Sequence, residues 1–140
     1  MDPSEQYVPM SLYQIVINEN QPEQFIIIQE KTGSRKLPIM IGIFEANAIN
    51  MRVKGISPPR PFTHDLVGSI ISSLGAALQK IVIDKILDQT FHAKLHLVKD
   101  NGEKVVVDAR PSDAIALAVR VGCDIETAES VLKSSGIEMP

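Results

Sequence analysis

Several residue types are scarce in this 140-residue chain, and each shortage excludes a class of structure. Tryptophan is absent, and four phenylalanines and two tyrosines leave little material for a base-stacking surface. Cys123 is the single cysteine, so the chain can form neither an internal disulfide nor a cysteine-rich zinc site. This cysteine usage agrees with a reducing cytoplasm.

Signals for membrane insertion and export are also missing. No apolar run reaches the roughly 20 residues that a membrane helix needs. Residues 1–10 are polar and acidic, whereas a signal peptide is basic and then apolar. We therefore expect a soluble, cytoplasmic protein with no membrane partner. Because the formal net charge is −3, binding to nucleic acid would need local positive charge or metal ions.

Common catalytic signatures are absent as well. The chain has no glycine-rich phosphate loop, no Gly-x-Ser-x-Gly and no His-Glu-x-x-His. These absences disfavour common nucleotide hydrolases, serine hydrolases and zinc proteases, and we predict no organic cofactor. The whole chain is 44% apolar and 22% charged, which is ordinary for a globular protein, and its length fits one domain.

The apolar pattern predicts an α+β domain over residues 11–136, with a mostly antiparallel sheet and about four helices. Residues 1–10 are predicted to be a lead-in and residues 137–140 a tail. Strands are predicted at 12–17, 25–30, 36–41, 80–87, 91–98 and 104–108, with Pro38 at an edge or bulge. Helices are predicted at 44–54, after Thr63 as N-cap, from Ser112 as N-cap to about Val121, and at 126–135.

The two halves of the chain resemble each other at a shift of 68 residues. Residues 45–53 align with 113–121, and the flanking strands and turns align at the same shift. This predicts a pseudo-duplicated strand-strand-strand-helix-helix unit over 11–78 and 79–136. Alternatively, two apolar helices rich in alanine align without common origin. If the duplication is real, Glu45 and Asp113 are equivalent acids at equivalent helix starts.

Acidic residues gather at these helix and strand ends. Carboxylate oxygens suit Mg²⁺ or Mn²⁺, so we predict that Glu45, Asp65, Asp108 and Asp113 converge on a divalent cation. The alternative is structural, because an acid in the first turn of a helix is stabilised by the helix dipole.

Basic residues and a histidine occupy the same junctions. Arg60 and Arg110 each precede a proline at a helix start, where guanidinium groups, together with Ser112, suit phosphate binding. Alternatively, each arginine pairs with a nearby acid. His64 is predicted to be a general acid/base because imidazole titrates near neutral pH; the alternative is a hydrogen bond to the turn backbone. Asp65, Asp108 and Asp113 are the other catalytic candidates.

Two stretches together carry a family resemblance: Arg60-Pro61-Phe62-Thr63-His64-Asp65-Leu66, and Asp108 to Ala118. With Leu37-Pro38-Ile39 and Phe44-Glu45-Ala46, they make residues 13–132 resemble the bifunctional nuclease family, in its short bacterial form. The resemblance implies a small α+β domain that associates with itself and cleaves both RNA and DNA.

We therefore expect a homo-oligomeric, metal-assisted nuclease with little sequence specificity, acting on RNA and DNA. The alternative is a non-catalytic module that uses the same polar junctions to bind a ligand or another protein. The acidic composition and scarce aromatic residues favour the alternative, and the resemblance favours the enzyme.

Overall fold

The apolar segments form the strands of one sheet in the computed structural model, which describes residues 4–18 and 20–138. Within these residues the chain has eight strands and four helices. In chain order they are β1 (Tyr7–Val16), β2 (Gln24–Glu30), β3 (Arg35–Ile41), α1 (Ile43–Val53), α2 (Thr63–Ser73), β4 (Ala76–Leu87), β5 (Thr90–Lys99), β6 (Lys104–Ala109), α3 (Pro111–Val121), β7 (Asp124–Ala128), α4 (Glu129–Ser135) and β8 (Ile137–Glu138).

The sheet order is β6-β5-β4-β7-β1-β2-β3-β8. Strands β4 and β7 run parallel, and the other neighbouring strands are antiparallel. The predicted α+β class with a mostly antiparallel sheet and four helices is therefore confirmed. Helix α3 contacts both β5 and β3, which lie five places apart in the sheet, so the sheet curves around this helix.

Helix α3 is the centre of the core. Its residues from Ala114 to Ala118 are all buried, and the small alanines allow α1, α2 and the sheet to approach closely. Branched side chains such as Ile26, Ile81 and Ile83 are fully buried around it. Burying each such side chain contributes about 1.5–3 kcal/mol. The polar start of α3 is thereby held at a fixed place beside α1 and α2.

Three predictions are wrong, two about the chain ends and one about the start of the last helix. Residues 7–10 are not a lead-in but the first part of β1, which pairs with β7. The last helix begins at Glu129 rather than at Glu126, because Asp124–Ala128 forms β7 between β4 and β1. Within the predicted tail, Ile137 and Glu138 pair with β3, and residues 139–140 lie outside the described part. Each error comes from long-range strand pairing, which local periodicity does not reveal.

The prediction for Pro38 is confirmed. Strand β8 pairs only with Arg35 and Lys36 of β3 in the described chain. Pro38 therefore lies outside the part of β3 that pairs with β8. This side of β3 is open at Pro38, so no neighbouring strand needs the N–H that proline lacks.

The element positions fit the predicted duplication. Helices α1 and α3 are of equal length and lie 68 residues apart. They pack against each other, and Arg52 Nη2 donates to the carbonyl oxygen of its counterpart Arg120 at 3.0 Å. Strand β7 has no counterpart, since residues 56–60 form no strand. Among the described residues no helix has the length and apolar character needed to cross a membrane.

Candidate active site

The starts of the first three helices surround one cleft, which we call the main cleft. Its volume is about 710 Å³. It is lined by one face of α1 together with the starts of α2 and α3: Phe44, Glu45, Asn47, Ala48, Asn50, Met51, Phe62, Thr63, His64, Arg110 and Asp113. Three of the four stretches that carry the family resemblance, at 44–46, 60–66 and 108–118, therefore contribute to one surface.

The caps of α2 and α3 position the acids of the cleft, but they are not the predicted caps. Phe62 and Arg110 are the extended N-cap residues, whereas Thr63 and Ser112 lie inside their helices. Pro111 takes the first position of α3, where its fixed φ fits and its missing N–H costs nothing. As a result, Asp65 and Asp113 both occupy the third position of their helices.

His64 and Asp113 form a hydrogen-bonded pair across two helices. His64 Nε2 lies 2.9 Å from Asp113 Oδ1, and the His64 side chain is only 16% exposed. An ionised carboxylate can only accept, so Nε2 carries the proton and donates it. This leaves Nδ1 as the ring nitrogen that can take up a proton.

Arg110 joins this pair to Glu45 of α1. Its Nε donates to Asp113 Oδ2 at 2.9 Å, and its Nη2 donates to Asp113 Oδ1 and Glu45 Oε1, both at 3.3 Å. These bonds leave the Nη1 amino group outside them, and the Arg110 side chain is 68% exposed. Gly42 makes room for Glu45, because a Cβ at position 42 would collide with the Glu45 carboxylate. Arg110 is thus fixed by two acids yet open to a ligand.

The charge state of Asp113 follows from its neighbours. Burial raises the pKa of Asp113, but the hydrogen bonds from Arg110 and His64 outweigh burial and hold this pKa below its usual range. The hydrogen bond with Asp113 in turn raises the pKa of Arg110. At neutral pH, Asp113 is therefore an anion that keeps the proton of His64 on Nε2.

The structure places the other predicted site residues elsewhere. Asp65 Oδ2 accepts from the backbone N–H of Phe62, and Asp65 Oδ1 accepts from Arg120 Nε, each at 2.9 Å. Asp108 pairs with Lys94 at 3.0 Å, its side chain is 74% exposed, and this hydrogen bond lowers the pKa of Asp108. Neither acid lines the main cleft.

The remaining two predicted phosphate contacts also lie outside the main cleft. Ser112 is buried and borders a separate groove on the other side of Arg110. Arg60 is exposed in the proline-rich loop and does not line the main cleft. Of the predicted residues, the fold therefore brings together Glu45, His64, Arg110 and Asp113.

The structure does not bring the four predicted metal ligands together. Within residues 4–18 and 20–138, no group of three or more His, Cys, Asp or Glu side chains is arranged to hold a metal ion. Arg110 lies between Glu45 and Asp113, where a cation would have to bind, while Asp65 and Asp108 pair with other basic residues. This arrangement does not fit a divalent cation, and we derive no chemical step through one.

Sequence reasoning missed the apolar side of the cleft. Phe44, Ala48 and Met51 follow the helical period, which predicts a helix but does not indicate a ligand-binding face. In the structure this face lines the cleft, and the Phe44 side chain is 84% exposed. The available signal was the aromatic residue directly before Glu45, at the start of the helix.

Comparisons with known proteins agree with the resemblance. A sequence model of the bifunctional nuclease domain matches residues 26–140. An uncharacterized protein of Mycobacterium tuberculosis is 39% identical over 126 residues, which are 90% of this chain and 74% of that protein.

Plant proteins are more distant. Bifunctional nuclease 2 of Oryza sativa subsp. japonica is 30% identical over 124 residues, covering 86% of this chain and 38% of the plant protein. Bifunctional nuclease 1 of Arabidopsis thaliana is 25% identical over 121 residues, covering 84% and 37%. The chain thus spans little more than a third of the length of these plant relatives.

Proposed function

The chain belongs to the bifunctional nuclease domain family, and on this basis we propose that it hydrolyses phosphodiester bonds of RNA and DNA with little sequence specificity. The observation that carries the proposal is the His64–Asp113 pair beside Arg110 in one open cleft. The names of the plant relatives support the same reaction class.

Each residue has a chemical role in this proposal. His64 Nδ1 takes the proton of the attacking water while the bond from phosphorus to the leaving oxygen breaks, and that oxygen takes a proton from solvent. Asp113 stabilises the imidazolium that forms. Arg110 binds the phosphate through Nη1 and stabilises the charge that develops on it. Glu45 keeps Arg110 in place. A positioned general base of this kind accelerates a reaction by about 10²–10⁴-fold.

One observation favours the non-catalytic alternative. Arg110 already pairs with two carboxylates, so a phosphate must compete with Asp113 and Glu45 for this guanidinium. A cleft that is neutralised in this way suits a ligand-binding or protein-interaction module equally well. The two functions differ in one respect, because only the nuclease consumes its nucleic-acid ligand.

Cleavage assays with matched variants separate the two functions. Labelled RNA and single-stranded DNA are incubated with the purified chain, with a His64→Ala, Asp113→Asn double variant, and with Asp108→Asn. The last is the control, since Asp108 is an exposed acid outside the cleft. We expect cleavage by the wild-type chain and Asp108→Asn, and a loss of about 10²–10⁴-fold in the double variant.

Two outcomes would contradict the assignment. Equal cleavage by all three proteins would show that the pair is not the catalytic group, and cleavage by none would favour the non-catalytic module. Parallel reactions with Mg²⁺, Mn²⁺ or EDTA test metal assistance. Cleavage lost in EDTA and restored by Mg²⁺ or Mn²⁺ would show metal assistance, whereas cleavage that persists in EDTA would show a reaction carried by the protein side chains alone.

We also propose that the chain forms a homo-oligomer through α2. Leu66, Ile70 and Leu74 recur at the helical period, and they are 55%, 49% and 79% exposed. After Asp65 this helix carries no charged residue. An uncharged apolar stripe of this kind on a surface helix is typical of a protein contact.

A further inference from the structure

Two of the six aromatic residues of the chain meet at the main cleft. Phe44 and Phe62 both line it, beside His64 and Arg110. Phe44 is the most exposed large hydrophobic side chain of the described residues, at 84%. A single exposed apolar side chain is ordinary on a protein surface. The informative feature is its position beside a histidine–carboxylate pair and an open guanidinium.

A second cleft adjoins the first, and we call it the proline cleft. It measures about 350 Å³ and includes residues 56–59 and Pro61 of the proline-rich loop, with Arg52 and Arg120. Ala48, Met51 and Phe62 line both clefts, so the two are continuous.

The proline cleft supplies the positive charge that the main cleft lacks. Arg120 is paired with Asp65, whereas the Nη2 of exposed Arg52 donates to a backbone carbonyl, which carries no full charge. Two arginines face one carboxylate here, and exposed Lys54 lies two residues after Arg52 in the chain. In the main cleft, by contrast, one arginine faces two carboxylates.

We propose that single-stranded nucleic acid crosses both clefts, with one unpaired base stacked on Phe44 and a neighbouring phosphate held by Arg52. A stacked ring needs the open face of a base, which a paired base inside a duplex does not offer. The stacking of a base on Phe44 also does not depend on the charges around Arg110. The chain therefore gains affinity where phosphate contacts alone are weak, and it selects single strands over duplexes.

This inference rests on the proposed function for its ligand class, but its test measures binding rather than cleavage. A 12-nucleotide DNA with 2-aminopurine at its centre is titrated at 4 °C, and gels confirm that it stays intact. Anisotropy reports affinity, and quenching of 2-aminopurine fluorescence reports stacking. The variants are Phe44→Leu, Phe44→Trp and Arg52→Gln, with Leu87→Ala as the control for another exposed apolar side chain, outside both clefts and outside α2.

Stacking predicts a specific pattern. Phe44→Leu weakens binding by about 5- to 150-fold and abolishes quenching, while Phe44→Trp retains both and Leu87→Ala changes neither. Arg52→Gln weakens binding and reduces the slope of log K against log salt by about 0.7, the loss of one single-strand phosphate contact. The matching duplex binds more weakly than the single strand.

Three results would overturn the proposal. The first is that Phe44→Leu binds with wild-type affinity, and the second is that duplex and single strand bind equally well. The third is that Phe44→Leu changes only the sedimentation mass, which would make Phe44 a subunit contact. If the chain cleaves nucleic acid but Phe44→Leu does not change binding, the proposed nuclease activity stands and the stacking proposal is refuted. If a base stacks on Phe44 but the chain cleaves nothing, the binding site stands and the proposed nuclease activity is refuted.

Discussion

Asp113→Asn is the most informative single change, because the amide has the shape of the carboxylate but cannot satisfy both partners. Asp113 accepts from His64 through Oδ1 and from Arg110 Nε through Oδ2. If the asparagine oxygen faces His64, its NH₂ group faces the Arg110 N–H, and two donors oppose each other. If the amide is reversed, its NH₂ faces His64 Nε2 and forces the ring proton to Nδ1. The first orientation loses the Arg110 contact, and the second places the ring proton on the nitrogen that should act as the base.

The stability cost can be worked from the same contacts. A hydrogen bond to a charged group contributes about 1.5–3 kcal/mol, and an acid in the first turn of a helix about 0.3–1 kcal/mol. The asparagine keeps one of its two partners, and the Asp113 side chain is one-third exposed, which weakens each term. We expect a loss of about 1–3 kcal/mol in the free energy of unfolding, or a fall in Tm of about 3–10 °C.

The pH dependence of this loss tests its origin. The pKa of Asp113 is lowered in the folded chain, so its ionised contacts stabilise the fold above the unfolded pKa of about 3.9. That stabilisation disappears as the pH falls through the folded pKa. Urea unfolding should therefore show the full difference between wild type and Asp113→Asn at pH 7, and a shrinking difference below about pH 4. A constant difference down to pH 2, or an equal loss in Asp108→Asn, would refute the reasoning.

Three further outcomes are expected. Asp65→Ala removes both a helix-capping bond and the pair with Arg120, so it should lower the free energy of unfolding in urea by about 1–2 kcal/mol; an unchanged midpoint would contradict this. Burial raises the pKa of Cys123 to about 11, so a thiol reagent at pH 8 should react slowly until urea unfolds the chain. Ile70→Glu on α2 should reduce the sedimentation mass to that of a monomer, while Val121→Glu, an exposed apolar position on α3, should not.

Local sequence signals predicted most of the helices and strands correctly. The left-handed Gly122 ends α3 as expected, and Gly102 lies with positive φ in the turn between β5 and β6. The turn between β4 and β5 gave no such signal, since Asp88 and Gln89 adopt positive φ without glycine. Strands β7 and β8 were missed because they are short and are formed by pairing with distant strands.

Half of the predicted site residues lie in the main cleft, and the positions of the others depend on tertiary packing. Residue type and helix-start position identified His64, Arg110, Asp113 and Glu45, which the fold does bring together. The same signals could not tell that Asp65 turns back to cap its own helix and pair with Arg120. Which partner an acid finds depends on the packing of α1, α2 and α3, and this is a tertiary property.

A difference between the two halves, aligned at the shift of 68 residues, accounts for one such cleft rather than two. At the shift of 68 residues, Asp113 corresponds to Glu45, but Arg110 corresponds to Gly42. The first half therefore has no arginine of its own at this junction, and Glu45 reaches across to Arg110 of the second half. Gly42 permits this reach, because a side chain there would displace the Glu45 carboxylate. The two aligned helix starts thus form a single mixed site, in which both acids hold Arg110 and only Asp113 also holds His64.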